Sequence, residues 1–140
     1  MFQIHNVDEN NYKEAYNFLK SVPSISGIED SILKNGVVVM DDNKVIGSIS
    51  FEIFDHIGLI RYFVFKKNLS NIILKKLMSE LEVNARRLSL NQLICVADNI
   101  QIEDLFKELS FSNLNKKIFI NEEKISSTNF SNSNFLYKNI

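Results

Sequence analysis

The strongest constraint in the sequence is one long amphipathic helix between two apolar strands. The first strand, Leu59–Phe65, is apolar on both faces except at Arg61, which is typical of a strand inside a sheet. Ser70 can cap the helix, and Gln92–Ala97 is the next buried strand. The apolar residues of the helix recur at helical spacing: Ile73, Leu74, Leu77, Met78, Leu81, Ala85 and Leu88. Such a unit predicts a right-handed crossover between parallel strands.

Before and after this crossover, strands alternate with helices. We predict strands at Phe2–Val7, Val37–Met40, Lys117–Ile120 and Asn134–Ile140, and helices from Asp8 to Lys20, over Ser26–Leu33 and over residues 99–110. In one more strand, the alternation predicts a single buried face, made by Val45, Ile49, Phe51 and Ile53, with Ser48, Ser50 and Glu52 opposite. Its hairpin loop is Asp55–Gly58. The fold class is α/β, an α+β mixed sheet with helices on both faces, as one domain over residues 1–140.

Composition excludes several functional classes. A net charge of −1 gives no electrostatic footprint for nucleic acid. The four glycines, Gly27, Gly36, Gly47 and Gly58, are not clustered, which excludes a Walker loop and a Rossmann fingerprint. The single cysteine, Cys95, indicates a reducing, cytoplasmic setting and is expected in the core. We expect no targeting segment, no membrane-spanning helix and, with two distant histidines, no metal site.

Two segments carry a resemblance to a known family. The first runs Val64-Phe65-Lys66-Lys67-Asn68-Leu69-Ser70-Asn71-Ile72-Ile73-Leu74-Lys75-Lys76-Leu77. It resembles the Val-x-Pro strand end and the Arg-Gly-x-Gly-Ile-Gly loop of the GNAT superfamily of acyl-CoA-dependent N-acyltransferases. The matching residues are Val64, Ile73 and Leu77. Lys66 stands at the proline, Leu69 at the arginine, and the three glycine positions hold Ser70, Ile72 and Leu74.

The second segment keeps the same register. Asn99, Leu105 and Phe111 match the family pattern Asn-x-x-Ala-x-x-Leu-Tyr-x-x-x-Gly-Phe, while Phe106 replaces the tyrosine and Ser110 the glycine. The ending Phe135-Leu136-Tyr137-Lys138-Asn139-Ile140 is similar to the family's last strand. The resemblance therefore spans essentially the whole chain and implies a GNAT-like fold.

The resemblance also implies a cofactor and the residues that contact it. Acetyl-CoA would lie between the strands that end at Phe65 and Ala97, with its pyrophosphate on the backbone N–H groups at the helix N-terminus. The implied cofactor-binding residues are Val64, Phe65, Lys66, Ser70, Asn71, Ile72 and Asn99. Lys66 and Lys67 would supply the charge of the lost arginine. Ile72 and Leu74 either narrow this approach or face the core, and Asn99 is equally explained as a helix N-cap.

The catalytic candidates are fewer. Glu52 is the possible general base, but a four-residue hairpin loop would pair it with Arg61, and an ion pair favours the ionised carboxylate, which makes a poor base. Phe106 has no proton to give and is expected to pack in the core, so it is not the general acid. Tyr12, Tyr16, Tyr62 and Tyr137 replace it only if the fold brings one close.

Two functions follow from these residues. The first is an acetyl-CoA-dependent N-acetyltransferase with an eroded cofactor loop, whose partners are acyl-CoA and an amine acceptor. The second is a catalytically silent GNAT-fold module for binding, regulation or oligomerisation, and a homodimer is compatible with either. The groove for the acceptor would be lined by the first two helices and the hairpin loops, where no residue names a substrate.

Overall fold

The computed structural model describes residues 2–25, 27–66, 69–114 and 134–140. The strands are β1 (Phe2–Asn6), β2 (Val37–Asp41), β3 (Lys44–Phe54), β4 (Ile57–Phe65), β5 (Gln92–Ala97), β6 (Ser112–Asn113) and β7 (Asn134–Asn139). The helices are α1 (Tyr12–Lys20), α2 (Asp30–Leu33), α3 (Asn71–Arg87) and α4 (Ile100–Glu108). The predicted strand at 117–120 and the side chain of Lys67 lie outside the described residues.

These strands form one mixed sheet in the order β1-β2-β3-β4-β5-β7-β6. The predicted parallel pairing of the two strands that α3 connects, β4 and β5, is confirmed, while the other neighbouring strands are antiparallel. The predicted fold class is confirmed as well. Among the helices of the described ranges, none combines the length and the apolar character needed to cross a bilayer.

Helices cover both faces of this sheet. On one face, α3 and α4 pack over a core that includes Ile49, Phe51 and Leu93. On the other face, α1 and α2 pack over Val38, Val45 and Tyr62. A third, smaller cluster around Leu59 and Ile94 includes partly buried side chains of β7. Apolar burial on two sides of one sheet therefore organises the molecule.

The prediction of one buried face for β3 is wrong. Ser48 and Ser50 are fully buried, whereas Ile53, expected inside, is 44% exposed. The reason is that α2 and the turn at Gly36 cover the face that carries the serines: a Cβ on Gly36 would lie 2.3 Å from the Ser50 hydroxyl. Neither serine hydroxyl has a hydrogen-bond partner among the described residues.

The predicted hairpin register is also wrong, by two residues. The turn between β3 and β4 contains only Asp55 and His56, so Phe54 pairs with Ile57 and Glu52 with Leu59. Asp55 adopts a φ of 55°, the left-handed conformation that a tight two-residue turn requires. Arg61 therefore lies opposite Ser50 rather than opposite Glu52.

Two helices begin later than predicted because local hydrogen bonds hold the preceding backbone. The Asp8 carboxylate accepts the N–H groups of Asn10 and Asn11, at 2.8 and 3.2 Å, which makes a turn before α1. Before α2, the Glu29 N–H donates to the Tyr62 hydroxyl at 2.9 Å, and that hydroxyl donates to the Gly27 carbonyl. The segment 27–29 is thus fixed by β4 instead of continuing a helix.

The expected core position of Cys95 is confirmed, and it gives a chemical prediction. Burial raises the pKa of the Cys95 thiol to about 12, against a smaller opposing effect of a backbone hydrogen bond at Leu136. Because the thiolate is the reactive form, the native protein at pH 8 should react with iodoacetamide at least about 100-fold more slowly than the urea-unfolded chain. Mass spectrometry over time measures both rates. Native alkylation as fast as unfolded alkylation would contradict the buried position.

The same shift predicts a pH effect on stability. The pKa is raised on folding, so this stabilisation is complete below the unfolded thiol value of about 8.5 and is lost as pH rises towards 12. The free energy of unfolding should therefore fall less steeply above pH 8.5 in Cys95→Ala than in the wild type. Equal slopes for the two proteins above pH 8.5 would contradict the raised pKa of the Cys95 thiol.

Candidate functional site

The central feature of the site is a gap between β4 and β5. The two strands pair only from Ile57–Gln92 to Leu59–Ile94, although β4 continues to Phe65 and β5 to Ala97. Beyond Leu59 the strands therefore diverge, and the backbone N–H and C=O groups on their facing edges do not form hydrogen bonds with each other. The gap opens at the carboxyl ends of both strands, the edge where α/β sheets bind ligands.

A β-bulge in β4 accompanies this divergence. The register with β3 shifts between Ser48 and Ser50, so two residues of β4, Tyr62 and Phe63, occupy the length of one residue of β3. Tyr62 has a φ of 55°, an uncommon value for a tyrosine. As a result Arg61 and Tyr62 project from the same face, and the guanidinium carbon lies 5.6 Å from the centre of the tyrosine ring.

The backbone at the end of β4 presents one amide to the gap. The Lys66 N–H donates to the Ile46 carbonyl of β3 at 2.7 Å, so it faces away from β5. Since successive N–H groups of a strand point to opposite edges, the Phe65 N–H faces the gap. The Phe65 ring packs over Gly47, where a Cβ would lie 2.3 Å from the ring.

The first turn of α3 lies just beyond the end of β4. Ser70 is the N-cap, and its hydroxyl accepts the Ile73 N–H at 3.3 Å. Of the two alternatives for the glycine positions, Leu74 takes the core position, whereas Ile72 is 68% exposed. The N–H groups of Asn71 and Ile72 belong to the helix start, where the positive end of the helix dipole favours anions.

The two other implied cofactor contacts have structural partners. The Lys66 ammonium lies 5.3 Å from the centre of the Phe18 ring in α1. The Asn99 side chain caps α4 by accepting the Ile102 N–H at 2.9 Å, so its N-cap interpretation is confirmed. Asn99 nevertheless follows β5 directly and therefore stands at the same edge of the sheet as the start of α3.

Phe106 is a core residue. It is 1% exposed, and its ring centre lies 5.1 Å from those of Phe63 and Phe111 in edge-to-face contacts. The packing expected for Phe106 is therefore confirmed. The position that matches the family tyrosine carries no hydroxyl, and its ring packs between α4 and β4.

The tyrosines are engaged elsewhere. The Tyr62 hydroxyl holds the segment 27–29, as described above. The Tyr12 hydroxyl donates to the Asp30 carboxylate, and burial, followed by that hydrogen bond, raises the pKa of Tyr12 to about 12. Tyr16 stacks on Tyr12, and Tyr137 belongs to the cluster around Ile94. Tyr12 is therefore a poor proton donor at neutral pH.

Glu52 and Arg61 form the predicted ion pair. An Arg61 guanidinium nitrogen lies 2.6 Å from a Glu52 carboxylate oxygen, and the side chains are 28% (Glu52) and 31% (Arg61) exposed. The pair forms diagonally across the strands, because arginine is long enough to reach the carboxylate in the observed register. It lies on the face opposite α3 and α4.

Sequence reasoning missed the bulge and the clamp that Tyr62 forms on segment 27–29. No signal in the sequence marks them, since the bulged residue is not glycine. Ser110, which stands at the glycine of the second pattern, adopts a φ of 73°, a conformation for which glycine is favoured. Within the described ranges, no three His, Cys, Asp or Glu side chains are placed to hold a metal ion.

Restoring the family tyrosine tests the packing around Phe106. We expect Phe106→Tyr to lower the free energy of unfolding by about 1–3 kcal/mol, because the added hydroxyl would be buried in an aromatic cluster. Urea denaturation measures the change, and Phe2→Tyr on the exposed edge of β1 is the control, expected within about 0.5 kcal/mol of wild type. Unchanged stability of Phe106→Tyr would show that the hydroxyl has room and a partner.

No family model matches the chain, and no curated protein matches it. Solved structures do. N-acetylglutamate synthase from Neisseria gonorrhoeae, complexed with coenzyme A and N-acetyl-glutamate, superimposes with a TM-score of 0.75 at 14% identity over 99% of this chain and 35% of that one. The chain thus spans about a third of the length of that synthase.

Shorter relatives match over nearly their whole length. A GNAT-family acetyltransferase from Staphylococcus aureus Mu50 gives a TM-score of 0.70 at 14% identity, with 99% of both chains covered. A GNAT-family acetyltransferase from Streptococcus pneumoniae gives 0.68 at 15% identity, covering 100% of this chain and 99% of that one. At such identities the likeness is one of fold. The chain has the fold of the GNAT acetyltransferases.

Proposed function

We propose that this protein is an acetyl-CoA-dependent N-acetyltransferase that binds its cofactor in the gap between β4 and β5. The observation that carries the proposal is the three-residue pairing of these strands, which leaves the Phe65 N–H directed into an open cleft. The first turn of α3 stands at the mouth of that cleft, and Leu74 faces the core rather than the cleft. The synthase with the same fold was solved with coenzyme A bound, which supports this choice of ligand.

Each residue then has a defined contact. The pyrophosphate would lie against the N–H groups of Asn71 and Ile72 and the hydroxyl of Ser70, where the helix dipole stabilises negative charge. The thioester carbonyl would accept the Phe65 N–H, which stabilises the oxyanion that forms on attack. Val64, Lys66 and Asn99 border the same edge of the sheet.

The chemistry needs no residue that the chain lacks. The acceptor nitrogen forms a bond to the carbonyl carbon, the C–S bond breaks, and coenzyme A leaves as a thiolate. The ammonium of the acceptor loses two protons in total: one goes to solvent, and the other ends on the thiolate. Water can deliver that second proton, since a thiolate is a stable leaving group and Phe106 has none to give.

The second candidate is a catalytically silent module of the same fold. Two observations favour it: the buried, hydroxyl-free ring of Phe106 and the exposed side chain of Ile72 at the proposed pyrophosphate contact. In both versions the 140 residues act as one domain. Its proposed setting is the reducing cytoplasm, which the buried, unpaired thiol of Cys95 supports.

Binding of the cofactor tests the proposed cofactor site. We expect acetyl-CoA at 100 times its dissociation constant to stabilise the protein by about 2.7 kcal/mol, measured as a rise in melting temperature. Ile72→Asp should weaken acetyl-CoA at least about tenfold, because it places a negative charge beside the pyrophosphate. Leu88→Asp, a change of another exposed apolar residue at the far end of α3, is the control and should leave the affinity unchanged.

Glu52→Gln tests the transfer step. We expect kcat at pH 7 to fall by less than about 100-fold, because the ion pair with Arg61 makes Glu52 a poor base. A fall of about 100-fold or more at unchanged affinity for acetyl-CoA would show instead that Glu52 is the general base. Release of free thiol measures the rate. Absence of any acetyl-CoA binding would overturn both the cofactor site and the enzyme. Binding without transfer to any amine would establish the silent module instead.

A further inference from the structure

The Glu52–Arg61 pair stands where an acceptor must approach. Leu59 forms the last pair with β5, and Arg61 is two residues further along β4 on the same face. That face is opposite α3 and α4, and Arg61 lies in the part of β4 that no longer pairs with β5. Both side chains are partly exposed and can be reached by a ligand.

The pair uses only part of its hydrogen-bonding capacity. One guanidinium N–H meets one carboxylate oxygen, and among the described residues neither side chain has another hydrogen bond. A guanidinium has five donors and a carboxylate two accepting oxygens. The second oxygen of Glu52 and the outer N–H groups of Arg61 are therefore left for another partner.

Two buried carboxylates of the same fold are filled, which makes the contrast informative. Glu82 accepts Arg86 on one oxygen and Lys138 on the other. Glu103 pairs one oxygen with Lys107 and takes Asn134 on the other. Both oxygens of each of these two buried carboxylates therefore have partners. Glu52, which is 28% exposed, keeps one oxygen without a partner among the described residues, where a ligand can reach it.

We propose that the acceptor is an α-amino acid, whose ammonium binds the second oxygen of Glu52 and whose carboxylate binds the outer N–H groups of Arg61. The pair presents one positive and one negative group side by side, and only a ligand with both charges satisfies both. A simple cationic amine would bring its charge close to Arg61 without a carboxylate to bind the outer N–H groups, and a carboxylic acid would bring its charge close to Glu52 without an ammonium for the second oxygen. This inference rests on the proposed acetyl transfer, since it names the amine that is acetylated.

The surroundings of the pair suit a compact zwitterion with its side chain directed along the sheet. The ring of Tyr62 lies against the Arg61 guanidinium on one side. Across the gap, Val96 belongs to the apolar cluster of Leu59 and Ile94. The charged groups of an amino acid would thus meet the ion pair, and its side chain the apolar surface of β5.

The decisive experiment compares ligands that differ by one charged group. Protein saturated with coenzyme A is titrated calorimetrically with the proteinogenic amino acids singly, and the best ligand is compared with its amide and its α-hydroxy acid analogue. We expect the amino acid to bind roughly tenfold or more tightly than either analogue, since each analogue loses a charge-assisted hydrogen bond. Transfer, followed by thiol release, should show the same preference in KM.

A charge-swapped variant distinguishes binding from stability. Glu52→Arg combined with Arg61→Glu keeps an ion pair, so its melting temperature should stay near wild type, while acetyl transfer to the amino acid is lost because its ammonium would bind at position 61 instead of position 52. Glu52→Gln combined with Arg61→Met, which leaves no unpaired charge, should lose the preference for the amino acid over its amide. Arg87→Met, at an exposed position of α3, is the control and should retain it.

The outcomes separate this inference from the proposed function. Binding of coenzyme A together with equal affinity for the amino acid and its amide overturns the amino-acid acceptor alone. So does coenzyme A binding with no amino acid bound or acetylated, a charge-swapped variant that transfers acetyl to the amino acid at the wild-type rate, or a neutral double variant that keeps the full preference. Failure of coenzyme A itself to bind, visible before any acceptor is added, overturns the proposed function and this inference with it.

Discussion

The structure depends on the point at which β4 and β5 stop pairing. Three residue pairs hold the strands together and then the ladder ends, although both strands continue. Buried backbone groups without partners are costly, so a cleft of this kind persists only where solvent or a ligand satisfies them. The surrounding sheet supports the opening, because β4 remains paired with β3 and β5 with β7 on their other edges. The gap therefore lies between two parts of the sheet that are each held together by their own strand pairs.

The bulge at Tyr62 links this gap to the rest of the protein. It turns Arg61 and Tyr62 to the same face, where Arg61 reaches Glu52 and the Tyr62 hydroxyl holds segment 27–29. An unfavourable φ at Tyr62 costs free energy of order 1 kcal/mol, which the two hydrogen bonds of its hydroxyl offset. The face of the gap opposite α3 and α4 is thus shaped by side chains of β3 and β4 rather than by a glycine-rich loop.

The scarcity of glycine has a physical explanation in this fold. None of the glycines has a positive φ, and the left-handed positions of the described chain are occupied by Asp, Asn, Ser and Tyr residues. Gly36, Gly47 and Gly58 instead provide space, since a Cβ at each would lie within 3 Å of another atom. At the start of α3, Leu74 packs into the core, and Ile72 is exposed to solvent. Of these two side chains, only that of Ile72 therefore stands at the exposed start of α3.

The elements that follow from hydrophobic period were predictable, and the details that depend on tertiary contacts were not. The crossover through α3, the cap at Ser70 and the core position of Phe106 follow from apolar spacing. The register of the β3–β4 hairpin depends on whether Asp55 adopts a left-handed conformation, which its sequence permits but does not require. The burial of Ser48 and Ser50 depends on the packing of α2 against β3, which the alternation of residues within β3 does not reveal. The Glu52–Arg61 ion pair was predicted correctly from a wrong register, because the arginine side chain is long enough to reach Glu52 diagonally.

The central claim is that acetyl-CoA occupies the gap between β4 and β5, and the backbone amide spectrum tests it most directly. In a titration of the isotopically labelled protein followed by two-dimensional NMR, the account predicts the largest shifts at the N–H groups of Phe65, Asn71, Ile72 and Asn99. The N–H groups of β1, at the far edge of the sheet, should not move. Saturable shifts confined to other elements, or none at millimolar acetyl-CoA, would contradict it.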